Sequence, residues 1–193
     1  MNAHRSPGKR PADSDVQARW MALADPFTAL VRSVQDWDAP TPCQGWNARD
    51  LVDHVVQSQR DFAARAGREI PVFDGSRTGG VPALWAKHAA AVESLAGDAS
   101  FIGATMKTAL GEQHVGDSLL TFYGFDLIVH RWDLARSQGR DERFSASEME
   151  LVEHALDSFG AQAYTPGILE GPLEPAPDAD RQGLLLARLG RRA

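Results

Sequence analysis

Asp126 and His130, four residues apart in GFDLIVHRWDLA, are the first residues whose types and spacing have chemical content. On an α-helix this spacing stacks the two side chains about 5–6 Å apart at Cβ, close enough to converge on one ion. Leu119, Phe122, Asp126, Val129 or His130, and Asp133 run along one stripe, so polar groups stand in the middle of a face expected to be buried. His54 follows Leu51 by three and precedes Val55, which puts it on or beside the buried stripe of an earlier helix. A divalent ion would satisfy such inward-facing groups, whose burial without a partner is costly. Two imidazoles and one carboxylate leave coordination positions open to water or substrate, the pattern of catalytic zinc sites. The D-x-x-x-H spacing is nevertheless common, and by itself it favours the plainer readings of a satisfied polar contact or a surface pair.

The other titratable residues are weaker candidates. Glu150 and His154 repeat the acid-x-x-x-His spacing, but Met149, Val152, Leu156 and Phe159 define the apolar stripe of their helix and leave the pair on the wetter side. His88 falls between Trp85 and Val92 on an inward face, where a core histidine bonded to its surroundings is the commoner outcome than a cavity residue. His114 reads as a solvated loop residue. Cys43, just before a helix start, reads as a small buried residue rather than a nucleophile. Asp133 is three residues after His130 and fits an acceptor that orients it, a helix cap or an arginine partner. Trp46 and Trp132 read as packing residues, and Arg131 and Arg136 have no clear inward address.

These residues need long helices to position them. Val16, Trp20, Leu23, Phe27, Leu30 and Val34 mark one face of a first helix that ends before Ala39-Pro40-Thr41-Pro42. Asn47 can cap a second helix from Ala48 to about Ala66, with Asp50 favouring its positive end. A Gly-rich loop over 67–80 leads to a third helix from Pro82 to Leu95 with Leu84, Trp85, Val92 and Leu95 inward. Residues 101–115 fit a short extended or hairpin segment. A fourth long helix spans about Asp117 to Gln138, with Gly139 to end it. A fifth runs from Ser147 to about Gln162, with Ser147 and Glu150 as a capping box. The loop at 167–180 precedes a closing helix or strand at RQGLLLARLG. The expected fold is all-α: an antiparallel four-helix bundle with additional C-terminal helices and a short hairpin before the fourth helix. Residues 1–14 are polar and aperiodic and read as a disordered extension, leaving 15–193 as one domain.

Composition narrows the function. The chain of 193 residues carries a net charge of −6 with a pI near 5.5, which argues against a nucleic-acid partner. One cysteine excludes an internal disulfide and a cysteine-rich metal site, and suits a reducing compartment. No apolar run approaches the roughly 20 residues of a membrane span, and the first residues lack the apolar core of a signal peptide. The expectation is a cytoplasmic monomer or homodimer with a small-molecule substrate, no nucleic acid and no membrane.

Three segments, DAPTPCQGWNARDLVDHVV at 38–56, FDLIVHRWDLARSQGRD at 125–141 and LLLARLGR at 184–191, resemble the DinB-like metal-binding bundles. The resemblance is to the actinobacterial branch related to the metal-binding domain of mycothiol-dependent maleylpyruvate isomerase, and it extends from about Val16 to Arg192. It implies a divalent metal, zinc first with nickel or iron as alternatives, held by His54, Asp126 and His130. It also implies mycothiol as a cosubstrate. The isomerase has Glu where this chain has Asp126, one methylene shorter, which sets the isomerase reaction itself apart from the metal. Three functions are compatible with it: a metal-dependent enzyme acting on a small electrophile by thiol addition, transfer or isomerisation; a non-catalytic metal- or ligand-binding stress or sensing protein; or a thiol-independent biosynthetic enzyme on the same bundle.

Overall fold

A computed structural model describes residues 13–73, 79–165 and 168–192. The expected disordered extension lies outside these residues except for its last two positions, which already belong to the first helix. The described chain is mostly helical: α1 (Asp13–Ser33), α2 (Ala48–Arg65), α3 (Gly80–Ala96), α4 (Ala99–Ile102), then strands β1 (Thr105–Thr108) and β2 (Gly111–His114), and after them α5 (Val115–Ser118), α6 (Gly124–Ser137), α7 (Ala146–Phe159) and α8 (Arg181–Arg188). The two strands pair antiparallel, with Thr105 opposite His114 and Thr108 opposite Gly111. The hairpin thus stands before the main helix as expected, and the closing segment is a helix.

Helix α1 packs on α3 and α6, and α2 packs on the same two helices. Their contact surface holds Trp20, Phe27, Leu51, Val55, Trp85 and Leu127, all nearly inaccessible to solvent. A second cluster joins α6 to α7 and α8 through Ile128, Trp132, Phe144, Leu156 and Leu185. Leu23 packs against both clusters. Helix α6 lies between the two cores, so Leu127 and Leu134 face one while Ile128 and Trp132 face the other. A helix in that position is buried almost all round, His130, Arg131 and Asp133 included, and a single buried stripe is too narrow a description of this segment. Arg131, given no inward address from sequence, is 3% exposed. It meets Glu142 through Nε at 2.9 Å and Glu148 through Nη2 at 3.1 Å.

Local chemistry sets the ends of the elements. Asn47 accepts from the Asp50 amide and Asp50 accepts from the Asn47 amide, a reciprocal cap that satisfies two otherwise orphaned donors. The cap of α7 is Ser145 with Glu148, not Ser147 with Glu150. Both pairs have the required spacing, but only the earlier one comes directly after the buried Phe144 and places its glutamate against Arg131. Gly139, at φ +67°, closes α6: its amide bonds to Arg136 and the Arg140 amide to Ala135, a turn that an L side chain resists. α1 ends at Ser33, earlier than the Pro-rich stretch requires, and α7 ends at Phe159 in a tighter 3₁₀ turn rather than at Gln162.

Leu119–Tyr123 forms a π-helical turn between α5 and α6, with the Gly124 amide bonding back to Leu119. The extra residue rotates this turn relative to the helix that carries Asp126. Leu119 consequently belongs to the core, whereas Phe122 lines a cleft together with Asp126, Val129 and His130. Gly124 lets α1 approach this turn, since a Cβ there would stand 2.7 Å from Leu23 Cδ1.

His88 is wholly buried and does not line that cleft. Its Nε2 lies 2.8 Å from Gln59 Oε1, and burial, reinforced by the Arg60 charge, lowers its pKa to about 4. The folded value lies below the unfolded one near 6.5, so the unfolded chain takes up this proton first and acidification favours unfolding. This contribution is fully present above about pH 6.5, declines below it and levels off below about pH 4, a loss on the order of 3 kcal/mol. Urea midpoints of the wild type and His88→Asn across pH 7 to 4 should show a shallower decline in the variant.

Candidate metal centre

Two helices, α2 and α6, and two short segments build the site. Residues 38–47 fold into a loop closed by a bridge between Pro40 and Asn47, with the Thr41 amide bonding to Trp46 O at 2.9 Å and the Trp46 amide to Cys43 O at 3.1 Å. These bonds fix Cys43 and Trp46 at the mouth of α2, one turn and more before His54. Trp46 is not a helix-packing residue alone: its ring lies over the His54 imidazole with centroids 4.6 Å apart. Helix α6 supplies Asp126, His130 and Asp133.

The structure brings His54, Asp126 and His130 together. Asp126 Oδ1 is 3.2 Å from His130 Nε2 and 4.0 Å from His54 Nε2, and all three donor atoms lie within 4.8 Å of one another. Donors around a tetrahedral ion at about 2.0–2.1 Å stand roughly 3.4 Å apart, so small side-chain movements would close the set. Asp126 Oδ2 is buried and has no hydrogen-bond partner among the described residues. The donors and this orphaned oxygen together fit a divalent ion.

Asp133 decides which nitrogen of His130 is offered. Its Oδ2 stands 3.0 Å from His130 Nδ1, so Nδ1–H donates to the carboxylate and Nε2 is left pointing at Asp126 and His54. Metal-binding histidines are commonly held in this way. Arg191 donates to the same carboxylate, from Nη2 to Oδ2 at 2.9 Å and from Nε to Oδ1 at 3.2 Å. Cys43 Sγ is 3.3 Å from Oδ2. Sequence offered Asp133 as orienter, cap or arginine partner; it is both orienter and arginine partner. Cys43 is half-buried and lines the cleft, which corrects its reading as a simple buried residue.

The charges are set by these contacts. Burial would lower the His130 pKa, but the Asp126 carboxylate, with Asp133 and Cys43, outweighs it and holds the imidazole well above its usual value. Burial opposes ionisation of Asp133 too, yet His130 and Arg191 bring its carboxyl down to about 2. Asp126 likewise falls below the usual range, its burial outweighed by His130 and then His54. His54 goes the other way, because burial pushes it down more than Asp126 pulls it up. Without a metal, His130 is therefore a cation clamped between two carboxylates. Cys43, His130 and Asp133 form another possible donor group, but the Arg191 guanidinium already supplies its cation, with Nη2 3.6 Å from Sγ.

The three donors open into a cleft of about 910 Å³. Trp46, Phe122, Phe125, Val129, Phe159 and Leu169 make its apolar wall, while Ser58, Arg65 and Glu170 contribute polar groups. Phe122 and Phe159 stack face to face at 5.4 Å. Among the described residues His114 and His154 stay outside: His114 Nδ1 lies 3.2 Å from Gly103 O, and Glu150 and His154 are exposed on α7.

The mycothiol maleylpyruvate isomerase N-terminal domain matches residues 20–135. The chain belongs to that family. The match holds all three donors and Asp133, and ends before α7, α8 and Arg191. An uncharacterized protein of Mycobacterium tuberculosis, found in the H37Rv and CDC 1551 strains, is 28% identical over 174 residues, covering 86% of this chain and 94% of that protein. This supports an actinobacterial branch of the family. No solved structure matches.

Sequence reading missed Arg191. Its signal was Leu189-Gly190-Arg191 after an amphipathic helix: Gly190, at φ +78°, turns the chain so that the Arg191 amide bonds to Leu186 at 2.8 Å and the side chain points back at Asp133. A Cβ at Gly190 would stand 3.1 Å from Glu170 Cβ and 3.2 Å from Gly171 O. Gly190→Ala should thus cost roughly 1–3 kcal/mol, measured as a lowered urea midpoint. Asp133→Ala should cost more, about 3–5 kcal/mol, because it leaves the Arg191 charge buried without its partner.

Proposed function

We propose that this protein holds one divalent metal ion, zinc first with nickel or iron as alternatives, through His54, Asp126 and His130. We further propose that it uses the ion on a small electrophile with a thiol such as mycothiol as cosubstrate. The observation that carries this reading is the set of three donor atoms at the base of the cleft, with the His130 Nδ1 proton held by Asp133 so that Nε2 is available. Family membership supports the thiol. The reading takes residues 15–193 as one cytoplasmic domain, with α1, α2, α3 and α6 as an antiparallel four-helix core of the DinB-like kind.

When bound, the ion would lower the pKa of a thiol or polarise a substrate carbonyl. The chain's own residues do the rest. Asp133 keeps the Nδ1 proton on His130, and Arg191 keeps Asp133 ionised. Trp46 shields the exposed side of His54, and the phenylalanine wall excludes water from one side of the cleft. Asp126 Oδ2 is placed to accept a proton or a second coordinating contact.

A non-catalytic binding role is the second reading. It is favoured by the charges around His130, where the Asp126 and Asp133 carboxylates already face the imidazole.

Elemental analysis of untagged protein should find about one equivalent of metal in the wild type and little in His130→Ala. Affinity should weaken as pH falls from 8 to 5, because protons compete with metal for the imidazoles; a flat profile would exclude imidazole ligation. With metal-loaded protein, mycothiol and a panel of small electrophiles, the enzymatic reading expects turnover that disappears on chelation. Metal binding without turnover on that panel would favour the second reading.

A further inference from the structure

A smaller cleft of about 340 Å³ adjoins the first and shares Arg65, Phe122 and Tyr123 with it. Phe62, the hairpin residues Met106, Lys107, Thr108 and Ala109, and Ser118 complete its walls. Two of its lining residues are cations, Arg65 in the last turn of α2 and Lys107 on β1, and none is Asp or Glu. Asp126 and Asp61 act on Tyr123 from outside the cleft, but the charges on its own lining are both positive and favour an anion.

The polar groups there have unused capacity. Arg65 has no ion-pair partner among the described residues; it donates to the Tyr123 hydroxyl oxygen at 2.8 Å. That contact occupies an acceptor position and leaves the phenolic proton without an acceptor among the described residues. Burial raises the Tyr123 pKa, so the proton remains available to donate. Lys107 stands opposite Glu112 in the hairpin register, but no ion pair joins the two. A guanidinium, an ammonium and a phenol at one concavity match the oxygens of a carboxylate or phosphate, the anions with which charge-assisted hydrogen bonds are strongest.

We propose that Arg65, Lys107 and the Tyr123 hydroxyl form an oxyanion subsite for the tail of a small amphiphilic ligand. The apolar body of the ligand lies along Phe122 and Phe159, and its far end reaches into the larger cleft. Only the placement of that far end beside the metal donors rests on the function proposed above; the anion subsite stands without it.

The test uses calorimetric titration of the full chain stripped of metal by a chelator. The probes are phenylhexanoate, phenylhexyl phosphate and the uncharged phenylhexanamide. At least one anion should bind roughly tenfold or more tightly than the amide, and the preferred anion identifies the tail. Arg65→Gln combined with Lys107→Gln should abolish that preference, and Tyr123→Phe should reduce it. All three sites of substitution outside the donor set are at the surface or half-buried, and circular dichroism would verify their folding. Equal affinity for anions and amide, no binding of either anion, or a preference that survives the double substitution would overturn the proposal. Failure of the metal reading would appear separately, as metal-free wild type in elemental analysis with the anion preference retained.

Discussion

A carboxylate with no exposed surface is the feature around which this molecule is organised. Asp133 is completely buried, and an ionised group in that position survives only if its oxygens are satisfied by donors and opposite charge. His130, Arg191 and Cys43 meet that demand, and they come from three segments of the chain: α6 itself, the residues after α8, and the loop before α2. Satisfying one side chain thereby ties the C-terminal tail and the 38–47 loop to the main helix. It also holds the Nδ1 proton of His130, so that Nε2 is the nitrogen turned toward Asp126 and His54.

The same arrangement explains why α6 is buried nearly all round. One side packs against the core of α1, α2 and α3, and the other against α7 and α8. Between them the π-helical turn redirects Phe122 and Tyr123 toward the clefts while Leu119 stays in the core. Donors on α6 therefore project from a rigid, doubly supported helix, the setting in which precise positioning is easiest to maintain.

The family match stops at residue 135. Phe159, Leu169, Glu170 and Arg191, which close one side of the large cleft, all lie beyond it. The candidate donors thus belong to the part of this chain that matches the family model, whereas one wall of the cleft comes from the region beyond it.

Periodicity, capping chemistry and spacing within a few residues were enough to specify the helical class, the hairpin before the main helix, the Asn47 and Gly139 helix ends, and the grouping of Asp126 with His130. His54 was also legible as an inward residue, because its position on the stripe of α2 depends only on the local helix. The remainder depends on contacts between distant segments. Ser145 prevails over Ser147 as a cap because Phe144 and Arg131 are near it in space. Arg131 is buried, and Arg191 largely so, because carboxylates from other segments pair with them. His88 lies in the core and not in the cleft because Gln59, on another helix, meets its ring. Partners separated by tens of residues leave no periodic trace in a sequence, so ion pairs, cleft walls and the satisfaction of a buried charge become readable only once the chain has folded.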